Sequence, residues 1–303
     1  MIERERLRVM GRVPFLTPWW QVRGGGHVGT WALVVSVIAV GWSSGCARGG
    51  WVKTHPDIVE QARQQPSTFV KQAYGEWSTL EGLVGSYSAE IRKGLGGRHL
   101  DLLIYAQRPG LLRVEIIAPT GSTQALLISG SEDLGLWSAE ERTLYRGSTG
   151  TDSFELALGL ALTVEDAVGV LLGYGVENAQ GLPAAAQWDA KRQRIRVQAG
   201  QGVTAWLHPL TLRFDHLRYE GSGAAIDIRL SEWLEAPAPV PQLITVTIPN
   251  EDLRLQLRLS PRWVANPQFT ADDFRVWLPD GSVELPLETL AREGGLLRRG
   301  LQQ

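Results

Sequence analysis

The alternation of apolar and polar positions is strongest between Arg98 and Gly130. Over residues 100–107, Leu100, Leu102, Ile104 and Ala106 fall on one face and Asp101, Leu103, Tyr105 and Gln107 on the other, the period of two that marks a strand. Arg108-Pro109-Gly110 predicts a turn, with Pro fixing φ and Gly accepting a positive one. The chain then returns antiparallel over residues 111–118, where Leu112, Val114 and Ile116 alternate with Arg113 and Glu115. A second turn, Pro119-Thr120-Gly121, leads into residues 123–129, whose Ala125, Leu126, Leu127 and Ile128 are nearly continuous. Both faces of this meander carry large apolar residues, more than a sheet with one wet face would show. One face is expected to be core and the other partly covered, with helices as the candidate cover.

The same reading extends in both directions. Residues 55–65 and 66–83 predict helices, Pro66 sitting in the first turn of the second, and residues 82–93 open the sheet. Strand signals resume at 134–137 and 143–146, across a polar turn. The period then changes: residues 152–160 and 163–172 read as two short apolar helices, the second capped by Thr163 with Asp166 three residues on. Helices so apolar within a β protein must lie on or inside the sheet. After residue 183 the strands return with clean alternation, as in Ile226, Ile228, Leu230 and in Leu253, Leu255, Leu257, Leu259. Within residues 212–219 the phase slips at Asp215-His216, which predicts a bulge. About ten strands with helices between them predict a mainly β (α+β) fold, a strongly curved antiparallel sheet or open barrel.

The first 45 residues change the picture. Val28 to Trp42 is an uncharged, mostly apolar run of fifteen behind an Arg-bearing stretch, the layout of an export signal and short for a span of about 20 residues. It ends at Ser43-Ser44-Gly45-Cys46, so the only cysteine stands where a bacterial lipoprotein carries its lipidated N-terminal residue; Ser43 stands where Leu is usual. The alternative is an uncleaved N-terminal anchor, and either way the body is exported and membrane-attached. Residues 1–45 are accordingly read as a lipoprotein signal peptide, 46–54 as the lipidated Cys46 and a tether, 55–269 as the main domain with its N-terminal helix, and 270–303 as a C-terminal extension. A single cysteine, once lipidated, leaves no disulfide to stabilise that domain. The formal net charge is -2, which argues against nucleic acid as a partner. Loss of residues 1–45 removes five Arg and two Glu and makes the charge -5, leaving the acyl chains as the anchor.

Residues 113–127 (Arg-Val-Glu-Ile-Ile-Ala-Pro-Thr-Gly-Ser-Thr-Gln-Ala-Leu-Leu) resemble the strand, Pro-x-Gly-Ser turn and following strand of the LolA/LolB-like lipoprotein carriers, the outer-membrane receptor branch in particular. The helix over 163–173 with its Leu-Leu-Gly end, and residues 236–263 with their Pro-rich loop and last hairpin, are similar to the same family. The resemblance covers roughly residues 80–267; order and spacing carry it. It implies an unclosed antiparallel barrel with a helical lid over an apolar cavity for lipoprotein acyl chains, a site on the periplasmic face of the outer membrane, a periplasmic LolA-like carrier as partner, a monomer, and neither enzymatic activity nor a cofactor. It also implies a membrane-facing turn at Pro119, Thr120 and Gly121. In the receptor branch an apolar residue protrudes there; Thr120 inserts poorly into lipid.

On this reading the cavity lining is Ile104, Leu112, Val114, Ile116, Leu127 and Trp137 from the sheet and Phe154, Leu158, Val168 and Leu171 from the lid. The same residues would equally make a closed core, and Trp137, like the other tryptophans after Cys46, is as readily ordinary packing. A filled barrel would instead define a structural or assembly lipoprotein with a protein partner. Catalytic chemistry has no comparable signal. His27, His55, His99, His208 and His216 are scattered and are read as surface or bulge residues, no metal motif occurs, and the Gly-x-Ser-x-Gly at residues 41–45 lies inside the leader.

Overall fold

The computed structural model describes residues 55–77, 79–150, 152–174, 185–199, 202–220, 224–235 and 238–291. The export segment, Cys46 and the tether lie outside the described residues. All that is described falls in one compact unit, Lys53–Gln303.

The alternating segments become strands of one sheet. In chain order these are β1 (Gly82–Lys93), β2 (Gly96–Gln107), β3 (Leu111–Ile117), β4 (Thr123–Ser129), β5 (Asp133–Ser138), β6 (Thr143–Ser148), β7 (Ala185–Asp189), β8 (Arg194–Ala199), β9 (Val203–His208), β10 (Arg213–Tyr219), β11 (Ile226–Leu234), β12 (Val240–Ile248), β13 (Leu253–Ala265) and β14 (Val283–Pro286). They are ordered β14-β6-β5-β4-β3-β2-β1-β13-β12-β11-β10-β9-β8-β7, and the end strands β14 and β7 share no ladder, so the sheet is not closed. Among the described residues fourteen strands form where the alternation predicts about ten, and one pair, β14 on β6, is parallel. The bulge is present: the register between β9 and β10 shifts between Phe214 and His216.

Curvature follows from who shares a wall. Leu136 on β5 and Ile228 on β11 line the same cavity although seven ladder steps separate their strands. In a flat sheet those strands would stand about 33 Å apart at ~4.7 Å per step. The sheet is therefore bent round its interior face.

Helices α1 (Pro56–Gln64) and α2 (Pro66–Trp77) pack against β7 and β8, and α3 (Ser153–Leu158), α4 (Val164–Leu172) and α5 (Glu288–Ala291) follow. α2 ends at Trp77, short of the predicted 83. The start of α4 is the predicted one: Thr163 Oγ1 accepts from Asp166 N at 3.1 Å and the Asp166 carboxylate accepts from Thr163 N at 3.3 Å. Burial pushes the Asp166 carboxyl pKa up, with the Thr163 bonds pulling against it.

Both faces of the meander are covered, but not as the pattern predicted. The helices α3 and α4 lie on the interior face with the main core. On the outer face Leu126, Ile128 and Leu144 are covered by Val276 and flanked by Trp137, whose Nε1 donates to Ser282 Oγ at 3.1 Å. Residues 274–286 of the C-terminal extension thus run as an outer strap that adds β14 to the sheet as an edge strand. Gly110 is not among the residues with positive φ. The atom nearest a Cβ built there is Glu165 Oε1 on α4, at 2.9 Å, the far end of an exposed side chain.

Of the surface and bulge alternatives for the histidines, His216 takes the bulge, and it is buried there. His216 is 8 % exposed, stacked on Trp206 at 4.6 Å between ring centroids, with Nδ1 3.1 Å from Arg192 and Nε2 3.0 Å from Asp227. Arginine can only donate, so Nδ1 accepts and Nε2 carries the proton that Asp227 receives. Burial holds the pKa values of both His216 and His208 below the usual histidine range. A depressed folded-state histidine pKa means that the unfolded chain binds more protons, so stability is lost as pH falls below about 6.5. The melting temperature is expected to drop between pH 7 and pH 5, and His216→Gln to flatten that drop; identical pH slopes in the two proteins would count against the role of His216.

Candidate functional site

The inner face of the bent sheet and the two helices above it enclose a cavity of about 150 Å³. Every described residue lining it is Ala, Val, Leu, Ile or Phe. The walls come from β1–β5 and β11–β13, at alternate positions except on β4, where Ala125, Leu126 and Leu127 all border the space, and the roof from α3, the 159–163 connection and α4. α3 ends at Gly159 with φ 77°, the left-handed conformation glycine adopts without strain, and the chain then turns into α4. Leu100, Val114, Ile116, Leu158, Leu255 and Leu257 are half-buried lining residues, so the cavity opens on the side they border.

Eight of the ten sequence-derived positions meet in this one space: Ile104, Leu112, Val114, Ile116, Leu127, Phe154, Leu158 and Leu171. Val168 is fully buried in the main core but is not part of the lining. Trp137 is elsewhere altogether, on the outer face against the strap, and among the described residues no tryptophan lines the cavity. The far wall, Ile228, Ile244, Val246, Leu255 and Leu257, is not among those positions. Its signal is the clean alternation of β11–β13, which fixes the inward face of each strand without saying that the sheet bends far enough to bring that face opposite β3.

The turn at Pro119, Thr120 and Gly121 is exposed, with Gly121 at φ 85° and Thr120 Oγ1 3.0 Å from Ser122 Oγ. Leu95 is a more prominent apolar group: it is fully exposed at the tip of the β1–β2 hairpin. β3 pairs with β2 only from Asp101 on, so residues 96–100 project past the end of β3 on that side. Among the described residues no group of three or more His, Cys, Asp or Glu is placed to hold a metal ion, and no helix is long and apolar enough to cross a membrane.

This is an unclosed, strongly curved sheet with a helical cover over an apolar cavity, the architecture that the sequence resemblance implied. No family model matches the chain, and no curated protein does. Among solved structures it is similar to a LolA superfamily protein from Nitrosomonas europaea (10% identity, 69% of this chain and 96% of that one, TM-score 0.48). It is similar also to a DUF1329 family protein from Desulfovibrio piger (11% identity, 70% of this chain and 97% of that one, TM-score 0.48). Likenesses this distant leave function to the chain's own geometry.

Proposed function

We propose that the protein is a non-enzymatic, lipid-anchored receptor or carrier of the cell envelope that holds acyl chains of lipoproteins in this cavity and passes them to the outer membrane. On this reading Cys46 carries the anchor, a periplasmic LolA-like carrier delivers the cargo, and the protein acts as a monomer. The observation that supports it is a wholly apolar, one-sided opening under short helices in the middle of the fold. A site without a polar group can recognise only apolar surface, at about 0.8 kcal/mol per buried CH₂.

Size sets what the closed form can do. In a protein core a cavity of about 150 Å³ accepts roughly one benzene ring. Six buried methylenes are worth about 5 kcal/mol, which is submillimolar retention, whereas fourteen are worth about 11 and approach nanomolar. A carrier therefore has to enlarge this space, and a roof of short helices can do so. The same small volume favours the second reading, a structural lipoprotein with an essentially filled barrel.

Native mass spectrometry of the full-length protein taken from an envelope fraction without detergent separates the two. Bound acylated peptide or phospholipid is the carrier result; a protein that is empty and takes up no sixteen-carbon acyl probe is the structural one. For delivery, the exposed Leu95, flanked by Arg92, Lys93 and Arg98, supplies the apolar contact that Thr120 does not. Leu95→Asp is expected to slow transfer of a bound acyl probe to phospholipid vesicles about tenfold, in line with the loss of one inserted leucine, while leaving probe affinity unchanged. Transfer at the wild-type rate would remove the hairpin tip from the mechanism.

A further inference from the structure

We infer that the end of the C-terminal strap is a latch on α3, so that the roof of the cavity opens when α5 lifts; this rests on the carrier reading for its purpose but not for its geometry. The strap crosses the sheet edge. Its outer part buries Phe274 and Val276 against the outside of the meander, then β14 pairs in parallel with β6 from Val283 opposite Thr143 to Pro286 opposite Arg146. Leu287 N donates to Arg146 O at 2.9 Å, the last bond of that ladder. From there the chain turns inward, and Leu287 and Leu290, 1 % and 0 % exposed, join the main core with Phe154 and Ala157 of α3. α5 packs on α3 and on β6.

The contact is close because β6 makes room for it. A Cβ on Gly147 would lie 3.0 Å from Leu287 Cβ and 3.1 Å from its Cδ2, so any larger residue there pushes Leu287 away from β6. α3 itself is six residues long, and its N-cap residue Asp152 makes no side-chain hydrogen bond to the helix. Helices so short do not hold themselves in water. Of the two roof helices, α4 has a complete capping box and α3 has no side-chain cap, yet Phe154 and Leu158 of α3 line the cavity. The element that must move to admit a chain is thus the one held down from behind by Leu287 and Leu290. This gives residues 283–291 a role as the fastening of the lid.

Hydrogen exchange on the full chain tests the latch without any ligand. Leu290→Asn and, independently, Gly147→Ala, which displaces Leu287 without altering either helix, are expected to speed exchange over residues 153–159 about tenfold or more while the amides of β1–β3 keep their protection. Both variants should also take up a fluorescent sixteen-carbon fatty acid about tenfold faster than the wild type. Unchanged exchange in α3 when α5 exchanges freely would overturn the latch, as would a loss of protection spread equally over β1–β3 in both variants. Faster exchange in α3 in proteins that never take up the fatty acid would uphold the latch and sink the carrier reading instead.

Discussion

The double variant Leu127→Glu, Leu171→Glu is expected to lose a sixteen-carbon acyl probe by about a hundredfold or more in affinity while keeping its secondary structure. The two residues stand on different walls, Leu127 on β4 and Leu171 on α4, and are 3 % and 6 % exposed. Losing each leucine contact costs about 1.5–3 kcal/mol, and each carboxylate brings water that the chain would have to displace. Both side chains border existing space, so the carboxylates can hydrate there rather than be forced into close-packed core. Val264→Glu, at a position 54 % exposed on β13, is the matched control and should bind as the wild type does. Equilibrium titration of the probe into the three proteins, with circular dichroism alongside, decides the matter. Undiminished affinity in the double variant would show that the cavity is not where the chain sits.

How much of this site is legible in the sequence depends on the range of the interactions that build it. Period-two alternation sets the inward faces of β2 and β3, so Ile104, Leu112, Val114 and Ile116 follow from the local pattern alone. Local capping chemistry sets the start of α4 at Thr163. Legibility ends where a residue's meaning depends on a partner far along the chain. Trp137 is as apolar as its neighbours on β5, but whether it faces the cavity or the strap depends on Ser282, 145 residues away. The second apolar face of the meander predicts a cover, and nothing local distinguishes α3 and α4 from residues 274–276 as that cover. Gly110 shows the same limit at a single position: a turn glycine ordinarily signals φ, and here φ is not positive and the side chain nearest it is Glu165, on a helix that the chain has not yet reached. His216 stands at the bulge its phase slip predicts, but its burial is not legible because its three partners, Arg192, Trp206 and Asp227, sit on three other segments.

Gly173→Ala is expected to cost about 3 kcal/mol and to lower the melting temperature by roughly 6–12 °C. Gly173 closes α4 at φ 82°, a conformation that costs an L residue about 1–2 kcal/mol. A Cβ there would also meet the Trp233 ring at 2.8 Å and Pro241 Cδ at 3.0 Å. Neither can yield easily: Pro241 is in the β11–β12 ladder opposite Trp233, and Arg213 lies over the Trp233 ring at 5.1 Å. Gly121 separates the two costs, because its φ is 85° but nothing lies within 4 Å of a Cβ. Gly121→Ala should therefore show the conformational cost alone, about 1–2 kcal/mol, and the difference between the two melting temperatures measures how firmly the end of α4 is seated on β11 and β12. Equal shifts would mean that α4 can slide on those strands. A clear difference would mean that it cannot, and an opening roof then has only α3 to move, with α5 as the element that holds it.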